Sequence, residues 1–120
     1  MLRQLQNAVV DLTYPSESDE PWEAFAWPVT QSITTPAQAI KQHVDTSRAI
    51  VEESVEAFFN ALSEAENAKR YDQLRRMLLQ TLENVSVFRV GDGEVRVDVY
   101  VLGTLADGSW AGIQTTSVET

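Results

Sequence analysis

The chain has 120 residues, of which 43% are hydrophobic, and this is enough for one globular domain over residues 1–120 with its own core. The absence of cysteine excludes a disulfide framework, a thiolate metal site and a thiol nucleophile. The formal net charge of −9 argues against direct nucleic-acid binding, which needs a basic face, and is typical of a highly soluble protein or one with a basic partner. No apolar run approaches the roughly 18 residues of a membrane span, and the first helix lacks the pattern of a secretory signal. We therefore expect a cytoplasmic protein that binds no membrane.

The amino-terminal quarter predicts a helix, an acidic turn and a short strand. Apolar residues at helical spacing predict one amphipathic helix over 2–13, which ends before Pro15 because a residue that precedes proline disfavours the helical conformation. Proline, serine and acidic residues then predict a turn over 14–22. The weak alternation of 23–29 predicts a short strand.

The middle of the chain predicts further helices. Thr35 as N-cap and Pro36 as the first helical residue predict a helix over 34–45. The stretch 50–62 is ambiguous, although its apolar residues fit one helical face.

The strongest helical pattern runs over 63–84, where Ser63 and Glu66 have the spacing of a capping box. Its core face is lined by Tyr71, Leu74, Leu78 and Leu82. Its basic side carries Lys69, Arg70, Arg75 and Arg76, which we interpret as a solvated face paired with neighbouring acidic residues.

The carboxyl-terminal third changes to the alternation of strands. Strands are predicted at 85–90, at 95–102 and at 110–118, with turns at 91–93 and 106–109. Three such strands in succession predict an antiparallel meander, and helices dominate before it. This order predicts an α+β fold in which helices pack on a sheet.

Motifs for catalysis are scarce. His43 is the one histidine, and it is better explained as an exposed helix residue than as a base, because no oriented partner is evident. No nucleophile elbow and no phosphate-binding glycine loop occurs. A carboxylate-dependent hydrolase would need two suitably placed acids. Almost any acidic chain offers two such residues, so their presence is weak evidence, and no nucleophile–base pair supports a hydrolase. We expect no catalytic residue and no cofactor.

The segment 14–25, "YPSESDEPWEAF", combines four acidic residues with three aromatic ones; we call it the acidic segment. Its acids, Glu17, Asp19, Glu20 and Glu23, carry the oxygens that Mg²⁺ or Ca²⁺ prefers, but their spacing matches no EF-hand loop, so we expect no metal site of the protein's own. We interpret Trp22, Phe25 and Trp27 as anchors that hold the acids rigidly outward. A rigid projection loses little entropy on binding, which favours a contact with a basic protein.

The block "YPSESDEPWEAFAW", the terminal block "FRVGDGEVRVDVYVLGTLADGSWAGIQTTSVET" and the "FF" with a long helix between them resemble the nuclease A inhibitor family, over about 12–120. This resemblance implies a small cytoplasmic protein that inhibits sugar-non-specific DNA/RNA endonucleases of the ββα-metal class. It also implies a three-layer α-β-α sandwich like that of plant pathogenesis-related proteins of class one. In the family the inhibitor blocks the nuclease cleft, and its C-terminal residue reaches the catalytic Mg²⁺.

Carried over to this chain, the resemblance implies a partner-binding set made of the acidic segment and the tail: Glu17, Ser18, Asp19, Glu20, Trp22, Glu119 and Thr120. Such a nuclease holds phosphates with arginine and lysine, so Glu17 is the expected partner of an arginine, with Asp19 and Glu20 in support. The hydroxyl and terminal carboxylate of Thr120 are hard donors suited to the partner's Mg²⁺. A monomer is expected when the protein is free.

The chain departs from the family pattern at 60–67, which reads "NALSEAEN". In relatives this connection is longer and carries an Asp-Trp pair that adds to the binding surface. The departure leaves a second interpretation open: a scaffold of this family that binds a different protein through the same acidic face.

Overall fold

The computed structural model describes residues 2–15, 20–29, 33–44, 48–64, 67–91 and 95–118. These described residues form four helices and five strands, which confirms the predicted α+β class. In chain order they are α1 (Leu2–Val9), β1 (Glu23–Trp27), α2 (Pro36–Val44), β2 (Ile50–Glu53), α3 (Val55–Ala61), α4 (Ala68–Thr81), β3 (Glu83–Val90), β4 (Arg96–Thr104) and β5 (Trp110–Val118), with a 3-10 turn at Leu62–Glu64. None of the helices described is long and apolar enough to cross a membrane.

The five strands form one antiparallel sheet in the order β1-β5-β4-β3-β2. The predicted meander is confirmed as its centre, and β1 and β2 add one strand at each edge. The predicted turn at 106–109 is also confirmed, because Gly108 N donates to Leu105 O and Leu105 N to Ser109 O, each at 2.9 Å. Gly108 has a φ of +86°, which glycine adopts without a steric penalty.

Helices cover both faces of the sheet because successive strand residues point to opposite sides. In β4, Val99 and Val101 pack with α1, α3 and α4, whereas Tyr100 and Leu102 pack with α2. We call these the three-helix face and the α2 face.

The start of α2 confirms the predicted cap and adds a second contact to it. Gln38 N donates to Thr35 Oγ1, and Thr35 N donates in return to Gln38 Oε1, both at 3.3 Å. The two residues therefore form a reciprocal capping box.

The boundaries of two predicted helices, 2–13 and 63–84, are wrong, and the ambiguous stretch 50–62 contains two elements. The first helix ends at Val9 rather than at 13. Directly after Val9 the chain turns, because Asp11 takes a φ of 58° and Leu12 N donates to Val9 O. The stretch 50–62 contains an edge strand, β2, before α3, whose N-cap is Ser54. Here pairing with β3 overrides the local helical pattern.

The long helix begins at Ala68 and ends at Thr81, so it is shorter than the predicted 63–84. The Ser63 hydroxyl donates to Asn60 O at 2.6 Å and so serves the end of α3, which makes the capping box predicted at this position wrong. Its second member, Glu66, lies outside the described residues.

Candidate partner-binding site

The two sides of the acidic segment are joined by backbone hydrogen bonds. Thr13 and Pro21 form an isolated antiparallel bridge, and Tyr14 N donates to Glu20 O at 2.9 Å. Trp22 N donates to Leu12 O at 3.4 Å. We call this paired base, residues 12–15 and 20–22, the stem. Of the predicted binding residues, Glu20 and Trp22 belong to it.

Three predicted binding residues of the acidic segment, Glu17, Ser18 and Asp19, lie outside the described residues. Chain connectivity attaches them to the stem, because only the four residues 16–19 separate its two sides.

An aromatic cluster holds the stem on the three-helix face. Trp22 is 5% exposed, and its ring meets Tyr14 and Phe58 edge-on at centroid distances of 5.8 and 6.2 Å. Tyr14 in turn stacks on Phe58 at 5.8 Å. These rings confirm that Trp22 fastens the acidic segment to the core, and they add Tyr14, which the sequence interpretation had not used.

Phe25 and Trp27 also pack against the core, as predicted, but on the opposite face of the sheet from Trp22. Both lie on the α2 face, where their rings contact each other at 4.4 Å and Phe25 contacts Tyr100 at 6.0 Å. The reason is the period of β1, since residues 25 and 27 point to the side opposite Trp22. His43 lies on α2, and its imidazole stacks on the ring of Trp27 at a centroid distance of 4.6 Å. His43 therefore belongs to the same aromatic group.

A buried tyrosine on α4 binds both sides of the stem. The Tyr71 hydroxyl donates to Thr13 O at 2.6 Å and accepts from Trp22 Nε1 at 3.0 Å. Burial raises the pKa of Tyr71 to about 12, an effect that the bond from Trp22 partly opposes. The hydroxyl therefore stays protonated and donates throughout the physiological range.

The strand β5 also contacts the stem. The Thr115 side chain, 6% exposed, donates to Pro21 O at 2.8 Å, with Glu20 O as a second acceptor at 3.3 Å. Val118, three residues later, ends β5. The remaining predicted binding residues, Glu119 and Thr120, follow it directly and lie outside the described residues.

A polar cleft of about 330 Å³ opens where the stem meets β5 and β4. Its lining residues are Glu20, Pro21, Glu23, Asp98, Tyr100, Gln114, Thr115 and Thr116. Three carboxylates are among them, which suits the cleft to a cationic side chain of a partner. Within the described ranges, no three or more acidic or histidine side chains are grouped so that they would hold a metal ion.

The carboxylates of the cleft differ in their surroundings. Asp98 accepts from Arg48 Nη1 at 2.9 Å and from Thr116 Oγ1 at 3.1 Å, so its charge is already compensated. Glu23, an exposed residue, is approached by Gln114 Nε2 at 3.5 Å, the limit of a hydrogen bond. Burial raises the pKa of Tyr100 to about 12, and the negative charge of Asp98 adds a smaller effect in the same direction. Glu23 is thus a better ligand than Asp98 for an incoming cation.

Three of the four basic residues on α4, Arg70, Arg75 and Arg76, contact other groups of the protein. Asp72 pairs with Arg76 at 3.1 Å and lies 3.7 Å from Arg75, and Arg70 donates to Ala8 O at 3.2 Å. These contacts agree with the solvated face that the sequence predicted.

Sequence reasoning missed Tyr71 and Thr115 as parts of this site. The pattern placed Tyr71 on the core face of its helix, and a buried tyrosine needs a partner for its hydroxyl, which was the available signal. The partner was not predictable, because Tyr71 lies 58 residues from Thr13 and Thr115 lies 94 residues from Pro21.

Comparison with protein-family models identifies a family that matches the whole chain. A family model described as nuclease A inhibitor-like protein matches residues 1–120, which include the acidic segment, the polar cleft and the tail. No curated protein matches the chain.

Proposed function

Because the chain belongs to the nuclease A inhibitor-like family, we propose that it inhibits a sugar-non-specific, Mg²⁺-dependent DNA/RNA endonuclease of the ββα-metal class. One observation carries the proposal: Thr115 hydrogen-bonds Glu20 and Pro21 and so joins the stem to the strand that leads into the tail. The described end of the acidic segment is therefore joined to the described strand that precedes the tail. The protein acts by obstruction and has no catalysis of its own.

The chemistry of such a cleft favours this surface. A nuclease presents arginine and lysine to phosphates and a Mg²⁺ ion that polarises them. We propose that Glu17 pairs with an arginine, supported by Ser18, Asp19 and Glu20, because arginine–carboxylate pairs are strong and directional. Glu119 and Thr120 would approach the partner's Mg²⁺, for which carboxylate and hydroxyl oxygens are suitable ligands.

The resemblance extends the proposal to the setting of the protein. It implies a cytoplasmic location, a monomer when free and the layered fold of plant pathogenesis-related proteins of class one. Helices on both faces of the sheet support the last of these.

A second candidate function rests on the connection 60–67. It carries no aromatic residue, and its described part includes the 3-10 turn Leu62–Glu64. If the missing Asp-Trp pair is essential for nuclease binding, the scaffold binds another basic protein through the same acidic face.

The test is a titration of the protein, with its native C-terminus, into a ββα-metal nuclease that cuts plasmid DNA in Mg²⁺. Ribonuclease A is the control, because it is basic but uses no metal. Stoichiometric inhibition of the metal nuclease alone supports the proposal. Equal inhibition of both enzymes would reduce it to non-specific charge attraction, and no inhibition of either would favour the second candidate function.

One substitution, with a matched control, then tests Glu17. Glu17→Gln should weaken the complex by about 2–5 kcal/mol, much of it from the arginine left without its partner. The matched control is Glu52→Gln, the same change at an exposed residue of β2. This strand forms the sheet edge opposite β1, so the control should alter binding little. A loss below about 0.5 kcal/mol for Glu17→Gln would place Glu17 at the rim and remove its assigned role.

The tail is tested by a short extension after Thr120, compared with the same extension before Met1. Only the first should impair inhibition, because it displaces the terminal carboxylate from the partner's Mg²⁺. Equal inhibition by both proteins would refute the Mg²⁺ contact while leaving the role of the acidic segment intact.

A further inference from the structure

We propose that Tyr71 is a positioning residue for the acidic segment, so that affinity for the basic partner depends on a hydroxyl that does not touch the partner. The inference rests on the proposed function and deepens it. Its basis is that one oxygen binds both sides of the stem, Thr13 O at 2.6 Å and Trp22 Nε1 at 3.0 Å.

The helix that carries Tyr71 is firmly packed. Tyr71 is 2% exposed, and one and two turns later Leu74 and Leu78 are 1% and 0% exposed in the same core. A side chain on such a helix has little positional freedom. Tyr71 therefore fixes the stem relative to the sheet from which the C-terminal tail also leaves.

The geometry of the stem makes this fixation effective. Thr13 and Trp22 lie on opposite sides of it, and Thr13 is bridged to Pro21. Because four residues connect the two sides, the direction of the stem sets where the backbone of 16–19 starts and ends. The two sides of the stem are thus held by one residue on α4, which lies 58 positions from Thr13 and 49 from Trp22 in the sequence.

Loss of the hydroxyl should lower the population of the binding-competent stem and raise the apparent Kd by the inverse of that fraction. Removal of a buried hydrogen-bonding group that serves two partners predicts an increase in Kd on the order of tenfold. No charge is lost, so the dependence of log Kd on log salt concentration should keep its slope.

The experiment compares Tyr71→Phe with the wild-type chain in two measurements. The first is the Kd for the metal nuclease at several salt concentrations. The second is amide hydrogen exchange in the free protein, read at Tyr14 and Trp22, whose N–H groups close the stem. We expect a roughly tenfold rise in Kd at an unchanged salt slope, with faster exchange in the stem.

Thr35→Ala is the matched control, because it removes the cap of α2, on the opposite face of the sheet, and lowers stability without contacting the stem. It should leave the Kd and the stem exchange unchanged. An unchanged Kd in Tyr71→Phe, or exchange that rises equally in both variants, would overturn the inference.

Two further outcomes remain decisive. If Tyr71→Phe does not fold, Trp22→Phe is used in its place, because it removes one of the two hydrogen bonds and keeps an aromatic ring. A smaller rise in Kd together with faster exchange in the stem would then support the inference. An unchanged Kd together with unchanged exchange would overturn it. If the wild-type protein inhibits no nuclease, the proposed function is wrong. The exchange measurement then decides alone whether Tyr71 positions the segment.

Discussion

Replacing Thr115 with valine removes one hydroxyl from the junction between β5 and the stem and keeps the shape of the side chain. In the wild-type protein this hydroxyl is 2.8 Å from Pro21 O and 3.3 Å from Glu20 O, so its single proton is directed mainly at Pro21. Glu20 O keeps its bond from Tyr14 N at 2.9 Å. The perturbation therefore concerns mostly one carbonyl group.

The magnitude follows from the surroundings of that carbonyl. A net hydrogen bond contributes about 0.5–1.5 kcal/mol, and a fully buried acceptor left without its donor costs about 1–3 kcal/mol. Pro21 is an exposed residue, which lets water compensate in part and selects the lower end of these ranges. We expect Thr115→Val to lower the free energy of unfolding by about 1 kcal/mol, or Tm by about 3–5 °C for a chain of this length.

Urea and thermal denaturation measure this change, and Thr104→Val is the matched control. The Thr104 hydroxyl makes one long, exposed bond of 3.4 Å to Glu83 O, at the end of the sheet away from the stem, so its loss should cost less than about 0.5 kcal/mol. Equal effects of the two substitutions would refute the reasoning, because the junction would then add nothing to the stability of the stem.

Three further predictions concern other parts of the protein. Above pH 10 the free energy of unfolding should fall, because Tyr71 and Tyr100 keep their protons to about pH 12 in the folded protein and release them near pH 10 in the unfolded chain. Urea denaturation from pH 8 to 11 measures this change, and a free energy of unfolding that does not depend on pH in this range would contradict it. Gly91→Ala should cost about 1–2 kcal/mol in a thermal melt, because φ is +86°, a conformation that is strained for any residue with a Cβ, and because that Cβ would displace the Arg48 guanidinium. A full, additive cost in the Arg48→Ala background would exclude the Arg48 contact as a cause. Ser54→Ala should cost about 1 kcal/mol in urea, because the Ser54 hydroxyl accepts from Ala57 N at 3.3 Å, and a cost near zero would remove Ser54 as the cap of α3.

Those elements whose signals are local could be predicted from the sequence. The alternation of β4 and β5 and the Asp-Gly turn between them specify a hairpin within about 20 residues. Thr35 and Pro36 specify a helix start in the same way. The acidic segment, too, is recognisable from composition alone.

The wrong predictions arise where distant contacts decide. Ser63, followed by Glu66, fits the capping pattern of the long helix, yet that helix begins at Ala68 and the Ser63 hydroxyl donates to Asn60 O at the end of α3. The functional contacts of Tyr71 and Thr115 depend on residues that only the fold brings near. Periodicity predicts that such a side chain is buried, but it carries no information about the partner of its polar atom.

The position of β1 beside β5 has a consequence for how the protein is made. β1 is complete after residue 27, but its neighbour in the sheet is the last strand, at Trp110–Val118, and the same strand supplies Thr115 to the stem. During synthesis, domains and their parts fold as their contacts become available. A nascent chain therefore cannot complete the contacts of β1 and the stem until β5 has left the ribosome, so a fragment that ends before β5 should not bind the proposed partner even where its helices form.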